Sequence, residues 1–532
     1  MSLIFYYPYS LNILYLIQVF ILRYKLNNEL ILAEIEWNKL GAYLKETQIL
    51  GSIQSTLYWD QNTGMPKKGA SWRSEQFTYI AKLLHKRNSS EEFANLIKAA
   101  QNELKNSEKH SENQSKIQGK KRNIELLIKE LKRESNLDPK LVELLAKAKS
   151  KGYQSWQEAK KKSDFGIFLP FFKELIKLRI EEAKQISDKY SSWETLAQPF
   201  EPDLTLKWLN KIFQPLRETI PSMLREINKS KKYEWDLKPK SQENLCTKLL
   251  DEFGRDNDLV VVAKSPHPFS ITLGPNDFRI TTRVVEGEPF SSFLATAHEW
   301  GHSIYEQGLP SQSHQWFAWP LGQATSMGIH ESQSLFWENR IVKSKSFSKR
   351  FFKNFVSEGC SLNNHLELWE SINHMKAGFN RVEADELTYG LHILIRTELE
   401  INLIENDLDA KDIPFEWNKR YEELLGIRPP NDSEGCLQDV HWSEGAFGYF
   451  PSYLLGHLIS AQISAQMEKD IGSIDNLIEN GEYEKIIFWL KNNIHKHGRS
   501  LNSMDLVRNV TNKELTADYF INHLRSKIND FY

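Results

Sequence analysis

The sequence is poor in cysteine and nearly neutral in charge, and both features narrow its possible functions. Only three of its 532 residues are cysteine, Cys246, Cys360 and Cys436, and none lies near another in the chain. We therefore expect no disulfide framework and a reducing, cytoplasmic location, and any bound metal must be held by histidine and carboxylate side chains. The formal net charge of −2 provides no overall electrostatic attraction for nucleic acid.

Long apolar runs are also absent, apart from one at the N-terminus. Residues 4–22 read IFYYPYSLNILYLIQVFIL, which is nearly long enough to cross a bilayer. Proline and polar residues interrupt this run, no basic region precedes it and no small-residue cleavage site follows it, so it is a poor signal peptide. We interpret residues 1–30 as a hydrophobic extension of uncertain role, either an extra packed helix or a stretch upstream of the true start. Membrane contact through residues 4–22 is the disfavoured alternative.

The remaining sequence lacks internal repeats and low-complexity linkers, and most of it follows a helical pattern. From about Leu30 onward, charged residues alternate with apolar positions at the helical period. Residues 258–285 break this pattern, because proline and glycine turns separate β-branched runs there. We predict a mainly α fold, with one large helical domain over residues 31–532, a deep groove and one small antiparallel β-sheet near residues 258–285.

The segment ATAHEWGHSIYEQGLP, residues 295–310, contains the strongest functional signal. His298 and His302 are four residues apart and therefore lie on one face of a helix, where both imidazoles can bind one ion. Glu299 lies beside that ion without being a ligand, which is the position of a general base that takes a proton from an activated water. The alternative is a surface helix with two exposed histidines, but the apolar residues around the motif favour a buried helix.

A catalytic zinc site needs a third protein ligand and an open fourth position. Glu306 continues the four-residue spacing but lies roughly 12 Å from His298 along the helix axis, too far to share an ion with it. Glu331, in TSMGIHESQSLFWENR (residues 325–340), is the better candidate, because the chain has room to return on a second helix. Its alternative interpretation is a first-turn acid favoured by the helix dipole. We expect the adjacent His330 to lie beside the ligands rather than to act as a fourth one.

These residues, together with further motifs, make the chain similar to the carboxypeptidase Taq family of zinc metallocarboxypeptidases. The resemblance extends from about residue 35 to the C-terminus, with Asn380 where the family has isoleucine. The matching motifs are H-P-F (His267, Pro268, Phe269), D-x-R-x-T (Asp277, Arg279, Thr281), H-E-x-x-H (His298, Glu299, His302), H-E-S (His330, Glu331, Ser332), R-x-x-A-D (Arg381, Ala384, Asp385) and G-x-x-Q-D-x-H-W (Gly435, Gln438, Asp439, His441, Trp442).

The resemblance implies a function as well as a fold. It implies a nearly all-α homodimer with a long groove, in which residues 31–532 form a metallocarboxypeptidase catalytic domain. Such an enzyme releases single amino acids from peptides that have a free C-terminus, with broad side-chain tolerance. Zinc is the implied metal, one ion per subunit, and cobalt is expected to substitute for it.

Recognition of a free C-terminal carboxylate suits arginine, because its planar fork binds both carboxylate oxygens. Arg381 and Arg279 are the candidates that the motifs supply. We favour Arg381 as the anchor, against the alternative of an ion pair with Asp385 four residues later, and we expect Arg279 to shape the groove. His267 and Phe269 resemble an element that closes the groove in the family, although physically they need be only part of a rigid turn.

Four further residues complete the predicted site. His441 is a candidate donor to the oxyanion that develops on the scissile carbonyl, with Tyr449 as a second donor. The alternative for His441 is a core histidine paired with Asp439. We also predict that Asp385 and Asp439 orient the ligand histidines through hydrogen bonds.

Other functional classes are compatible with part of this pattern. A zinc oligoendopeptidase, which cleaves short peptides internally, shares the H-E-x-G-H sequence of residues 298–302. An aminopeptidase is less consistent, because no G-x-M-E-N motif occurs upstream. A catalytically inactive scaffold is disfavoured, because the ligands and the base are all present.

Overall fold

The structure is a computed structural model that describes residues 34–107, 114–227, 237–313 and 316–531. The extension predicted for residues 1–30, with its membrane-contact alternative, lies outside the described residues. Within the described ranges, no helix is long and apolar enough to cross a membrane.

Twenty α-helices dominate the described ranges, so the prediction of a mainly α fold is confirmed. They are α1 (Ile35–Thr63), α2 (Ala70–Asn88), α3 (Glu91–Ser107), α4 (Gln114–Ser135), α5 (Pro139–Lys162), α6 (Phe165–Ile186), α7 (Ser192–Ala197), α8 (Leu206–Glu226), α9 (Pro239–Glu252), α10 (Ser291–Gly308), α11 (Met327–Leu335), α12 (Lys345–Ser357), α13 (His365–Ile372), α14 (Glu386–Glu405), α15 (Ile413–Leu425), α16 (Pro451–Ile471), α17 (Ile474–Asn480), α18 (Tyr483–Asn493), α19 (Ser503–Thr511) and α20 (Asp518–Phe531).

Polar side chains begin several of these helices. Asp164 accepts a hydrogen bond from the amide of Gly166 at the start of α6. Ser191 and Glu194 form a reciprocal capping box at α7. Each of these contacts satisfies backbone donors that the first turn of a helix leaves free, and so fixes where the helix starts.

The predicted sheet is present but mixed rather than antiparallel. It contains β1 (Val260–Lys264), β2 (Ser270–Gly274) and β3 (Asp277–Thr282) in the order β1-β3-β2. β3 is antiparallel to β2 but parallel to β1, so the prediction was wrong for that pair. The connection of residues 265–269 contains two prolines and leads from β1 to β2 without placing these two strands side by side. After the tight turn that follows β2, β3 enters the position between β1 and β2.

Hydrophobic clusters hold the first and last described helices to the centre. The largest includes buried residues from Ala159 to Ile528. A second cluster joins α1, α3 and α4 to Trp319, whose indole stacks on that of Trp37 with ring centroids 3.9 Å apart. The N-terminal helices are therefore packed against the segment that precedes α11.

Two glycines allow the central helices to approach closely. A Cβ atom on Gly301 of α10 would lie 2.5 Å from the carbonyl oxygen of Gln333 in α11. A Cβ atom on Gly456 of α16 would lie 2.7 Å from Cγ of Glu331. Helix α11 is thus held tightly between α10 and α16, and this packing positions Glu331 against the two histidines of α10.

Candidate metal and catalytic centre

Helix α10 is held in the core by its apolar residues. Ala297, Trp300 and Ile304 are buried, whereas the side chains of His298 and His302 retain 23% and 16% exposure on another side of the helix. The alternative of an exposed surface helix is therefore wrong. Partial exposure of the histidines leaves the centre accessible to small molecules.

The structure brings His298, His302 and Glu331 together as a possible metal site. Oε2 of Glu331 lies 3.7 Å from Nε2 of His298 and 3.5 Å from Nε2 of His302, and the three ligand atoms are all within 4.8 Å of one another. Ligands of one tetrahedral ion with bonds of about 2.1 Å are separated by roughly 3.4 Å. The three residues therefore fit a small divalent cation, around which the ligand atoms would draw slightly closer together.

Each histidine is oriented through its second ring nitrogen. Nδ1 of His298 lies 3.0 Å from Oε2 of Glu338. Nδ1 of His302 lies 2.6 Å from Nδ1 of His330, whose Nε2 contacts Oε1 of Glu306 at 2.9 Å. Because both Nδ1 atoms are engaged, both Nε2 atoms face Glu331, which is the arrangement that metal-binding histidines require.

A separate cluster surrounds Arg381, which is only 6% exposed. Its Nε and Nη2 atoms donate to Oδ1 of Asp439 at 2.9 and 2.8 Å, and Nη1 donates to the hydroxyl of Tyr389 at 2.8 Å. Oδ2 of Asp439 accepts from Nε of Arg396 at 2.6 Å. Two guanidinium groups therefore share one carboxylate, so the cluster retains a net positive charge in a buried position.

Comparison with known proteins identifies the family. A family model described as carboxypeptidase Taq (M32) metallopeptidase matches residues 19–528. The chain belongs to this family. Its match begins inside the extension predicted for residues 1–30, and it covers the whole region in which the sequence motifs were found.

Individual relatives agree with the family model over nearly their whole length. Carboxypeptidase 1 of Bacillus subtilis is 33% identical over 501 residues, which span 92% of this chain and 97% of the relative. Thermostable carboxypeptidase 1 of Thermus thermophilus is 32% identical over 516 residues, which span 94% and 99%. The Pyrococcus furiosus carboxypeptidase structure superimposes with a TM-score of 0.87 at 29% identity, and covers 93% of this chain and 99% of that one. The chain is thus an M32 metallocarboxypeptidase, a peptide hydrolase that uses a divalent metal.

The charges at the M32 metal site favour an added cation. Burial by itself lowers the pKa of His298, but the charges of Glu331, Glu299 and Glu338 outweigh burial and raise that pKa to about 10. Burial also raises the pKa of Glu299 to about 7 and raises that of Glu331. Three carboxyl groups around a histidine pair in a poorly solvated position stabilise positive charge, which a divalent metal supplies.

Glu338 is a functional residue that the sequence analysis missed. It orients His298 and in turn accepts a hydrogen bond at 2.7 Å from Nζ of Lys343. Its spacing in the sequence could have indicated it, because Glu338 follows Glu331 by two helical turns and faces the same side of the helix. The turns after α11 form a π-helix over Phe336–Val342, a feature that often occurs at functional sites.

The orienting roles predicted for Asp385 and Asp439 require correction. Asp385 caps α14, because its Oδ1 accepts hydrogen bonds from the amides of Leu387 and Thr388. Asp439 binds the guanidinium groups of the Arg381 cluster instead. This contact also excludes the alternative in which Arg381 pairs with Asp385. Of the three residues predicted to support the ligands, His330 is the one that contacts a ligand histidine.

His441 and Tyr449 lie beside the Arg381 cluster. Nδ1 of His441 is 3.8 Å from Oδ1 of Asp439, too far for a hydrogen bond, and the described residues give this nitrogen no partner. Burial lowers the pKa of His441 to about 4, so its imidazole is neutral at pH 7. The rings of His441 and Tyr449 are 5.3 Å apart, and the charge of Glu331 contributes to the raised pKa of Tyr449, for which burial is the main cause.

The motif residues near the sheet have structural contacts. Both carboxylate oxygens of Asp277 accept hydrogen bonds from Arg279, at 2.8 and 3.0 Å, so the charge of Arg279 is already neutralised. Phe269 packs edge-on against Tyr58 and Trp59 of α1. The residue His267 is exposed. This group therefore joins α1 to the sheet.

Glu201 fixes the position of the helix that carries Glu331. Its carboxylate is 1% exposed and accepts hydrogen bonds from the amide of Gly328 in α11 and, at 2.8 Å, from the hydroxyl of Ser452 in α16. Burial raises the pKa of Glu201 to about 7 despite these bonds. The residue links two of the helices that enclose the metal site, and no sequence motif indicated it.

This raised pKa predicts a pH-dependent contribution to stability. The folded-state pKa of about 7 lies above the ordinary glutamate pKa of 4.5, so the folded protein binds this proton more tightly than the unfolded chain does. The resulting stabilisation is complete below pH 4.5, is lost as pH rises through 7, and amounts to about 3 kcal/mol at most. The free energy of unfolding of wild type and of Glu201→Gln is measured by denaturation at pH 5 and at pH 8. Between pH 5 and pH 8, this free energy should fall more in wild type than in the variant. The control is Glu226→Gln, because Glu226 is exposed. If the difference in unfolding free energy between wild type and Glu201→Gln is the same at both pH values, the prediction is contradicted.

Proposed function

We propose that this M32 enzyme is a zinc carboxypeptidase that releases single amino acids from free peptide C-termini with broad side-chain tolerance. The observation that carries the proposal is the pairing of two features. Tyr389 and Tyr453 contact the buried, positively charged Arg381 cluster and also lie near Glu331 of the three-residue metal site. The metal site suits peptide-bond hydrolysis and the Arg381 cluster suits recognition of a terminal carboxylate.

The donor set supports zinc. His298, His302 and Glu331 offer two imidazole nitrogens and one carboxylate oxygen, a combination common in catalytic zinc sites. Zinc held there would supply Lewis acidity, which activates a water molecule and polarises the scissile carbonyl. Cobalt is expected to support the same activity.

Glu299 is the proposed general base and acid. It is adjacent to a ligand histidine, is 6% exposed, and has a pKa that burial raises to about 7. A carboxylate of that pKa accepts a proton from the attacking water and later delivers it to the leaving amine.

His441 and Tyr449 are the proposed oxyanion donors. A neutral imidazole and a phenol both carry an N–H or O–H donor at neutral pH, and the pKa directions of these two groups keep those protons in place. The charges of both Glu331 and Arg381 act on Tyr449, and the ring of His441 lies beside that of Tyr449, which supports a role at the reacting carbonyl.

Arg381 is the proposed anchor of the substrate carboxylate. An arginine has five N–H donors, and the three hydrogen bonds to Asp439 and Tyr389 leave two for a ligand. Arg279 is less suitable, because Asp277 pairs with it and neutralises its charge, whereas Arg381 shares Asp439 with Arg396.

A time course of amino-acid release separates this proposal from the oligoendopeptidase alternative. A peptide with a free C-terminus should lose residues one at a time, whereas its C-terminal amide should be cleaved at least about 100-fold more slowly, because a neutral amide forms no charge-assisted pair with Arg381. A chelator should stop release and added zinc should restore it. Internal cleavage of free and amidated peptides at similar rates would contradict the proposal and support an endopeptidase.

A further inference from the structure

A polar cavity opens beside the metal site at the His302 end of α10. Its volume is about 450 Å³, which is within the range of ligand-binding pockets. It lies between α1 and the sheet, and its walls include Gln48, Thr272, Glu306, Gln312 and His330. Because His330 also contacts the ligand His302, the cavity adjoins the reacting centre.

Glu306 is the one acidic side chain among the described residues that line this cavity. Apart from Glu306 and His330, the described residues that line it are uncharged, and none of them is a lysine or an arginine. The side chain of Glu306 is 23% exposed, so it is accessible to a ligand in the cavity. Its remaining oxygen, Oε2, has only a long contact of 3.4 Å with the hydroxyl of Thr272.

A chain of hydrogen bonds runs from the ligand His302 through His330 to Glu306. His302 presents Nε2 to the metal position, so its ring proton is on Nδ1 and is donated to Nδ1 of His330. The proton of His330 is then on Nε2 and is donated to Oε1 of Glu306. Glu306 acts as the acceptor at the end of this chain.

The cavity also borders the edge of the sheet, which α1 covers in part, because the hydroxyl of Ser52 donates a hydrogen bond to the backbone oxygen of Leu273 in β2. β2 is an outer strand of the sheet, and Phe269 and Ile271 direct their backbone groups towards β3, to pair with Thr281 and Arg279. The alternation of an antiparallel pair therefore turns the backbone groups of Ser270 and Thr272 away from β3. Both residues line the cavity, where an extended peptide can pair with this edge.

The location of the cavity indicates which part of the substrate occupies it. Arg381, Tyr389 and Tyr453 are not among the described lining residues, so the proposed carboxylate anchor is separate from the cavity. A peptide whose C-terminal residue is held at Arg381 extends past the metal site in the other direction. We propose that this cavity binds the residue preceding the scissile bond and favours a basic side chain there, with Glu306 as the selective charge. This inference rests on the proposed carboxypeptidase function.

The test uses N-acylated Ala-X-Leu peptides with free C-termini, in which X is Lys, Gln or Glu. Wild type should release leucine from the Lys peptide with a kcat/KM about tenfold above that for the Glu peptide. This ratio is expected because Glu306 attracts the lysine and repels the glutamate, and each of these partly exposed charge interactions is weak. Glu306→Gln should bring this Lys-to-Glu ratio close to one while the Gln peptide is still cleaved. Metal content is measured for each protein, because Glu306 also supports His330.

A second variant keeps the test independent of the metal site. Gln48→Lys, on α1, adds a positive charge to the cavity without altering the Glu306–His330 contact, and should lower the Lys-to-Glu ratio below that of wild type. A ratio near one in wild type, or a ratio unchanged in both variants at normal metal content, would overturn the inference. Failure of all three peptides to release leucine would instead overturn the proposed function.

Discussion

A Glu299→Gln variant is expected to keep its metal and to lose kcat by about 10²- to 10⁴-fold, the contribution usual for a general base. The expected loss is large because glutamine has nearly the same shape as glutamate but cannot accept a proton. Glu299 lies between the two ligand histidines in sequence and is 6% exposed, so bulk water cannot easily replace it. The measurements are kcat on a free-acid peptide and metal content of the purified protein.

The matched control is Glu331→Gln, the same substitution at the proposed third ligand. This variant should lose metal as well as activity, because a neutral amide is a much poorer ligand for a divalent ion than a carboxylate. The two variants therefore separate the base from the ligand. Turnover close to wild type in Glu299→Gln would remove Glu299 from the mechanism, and tight metal retention with full activity in Glu331→Gln would remove Glu331 from the ligand set.

The features that could be predicted from the sequence are those that depend on local spacing. The four-residue interval between His298 and His302 fixes a common helix face, so their proximity follows from helix geometry alone. Glu331 is a longer-range prediction, and it depended on the room that the chain has to return on a second helix after His302. The helical period similarly predicted the mainly α fold, which the described residues confirm.

The features that could not be predicted depend on contacts between distant segments. The pairing of Asp439 with Arg381 and Arg396 joins a loop to two other elements, and no period in the sequence encodes it. The parallel pairing of β1 with β3 likewise depends on the path of the connection between strands. The predicted homodimer, cytoplasmic location and role of residues 1–30 stay predictions.

The second large effect is expected at the substrate anchor. Arg381→Ala should lower kcat/KM for peptides with a free C-terminus by about 30- to 1,000-fold, which corresponds to about 2–4 kcal/mol of lost transition-state stabilisation. The physical reason lies in the charge of the cluster. Arg381 and Arg396 share Asp439, so removal of Arg381 leaves one guanidinium paired with one carboxylate and no net charge to bind a substrate carboxylate.

The comparison of free and amidated peptides distinguishes an anchor from a structural residue. Amidated peptides should be poor substrates for wild type. Arg381→Ala should barely change their slow cleavage, because these peptides have no C-terminal carboxylate for Arg381 to bind. Arg279→Ala is the control, because Arg279 is neutralised by Asp277 and should affect free and amidated peptides alike. If Arg381→Ala lowers kcat/KM equally for both kinds of peptide, its contact with Asp439 is structural and the carboxylate is bound elsewhere. If neither arginine shows the selective loss, the endopeptidase alternative becomes the better account of the groove.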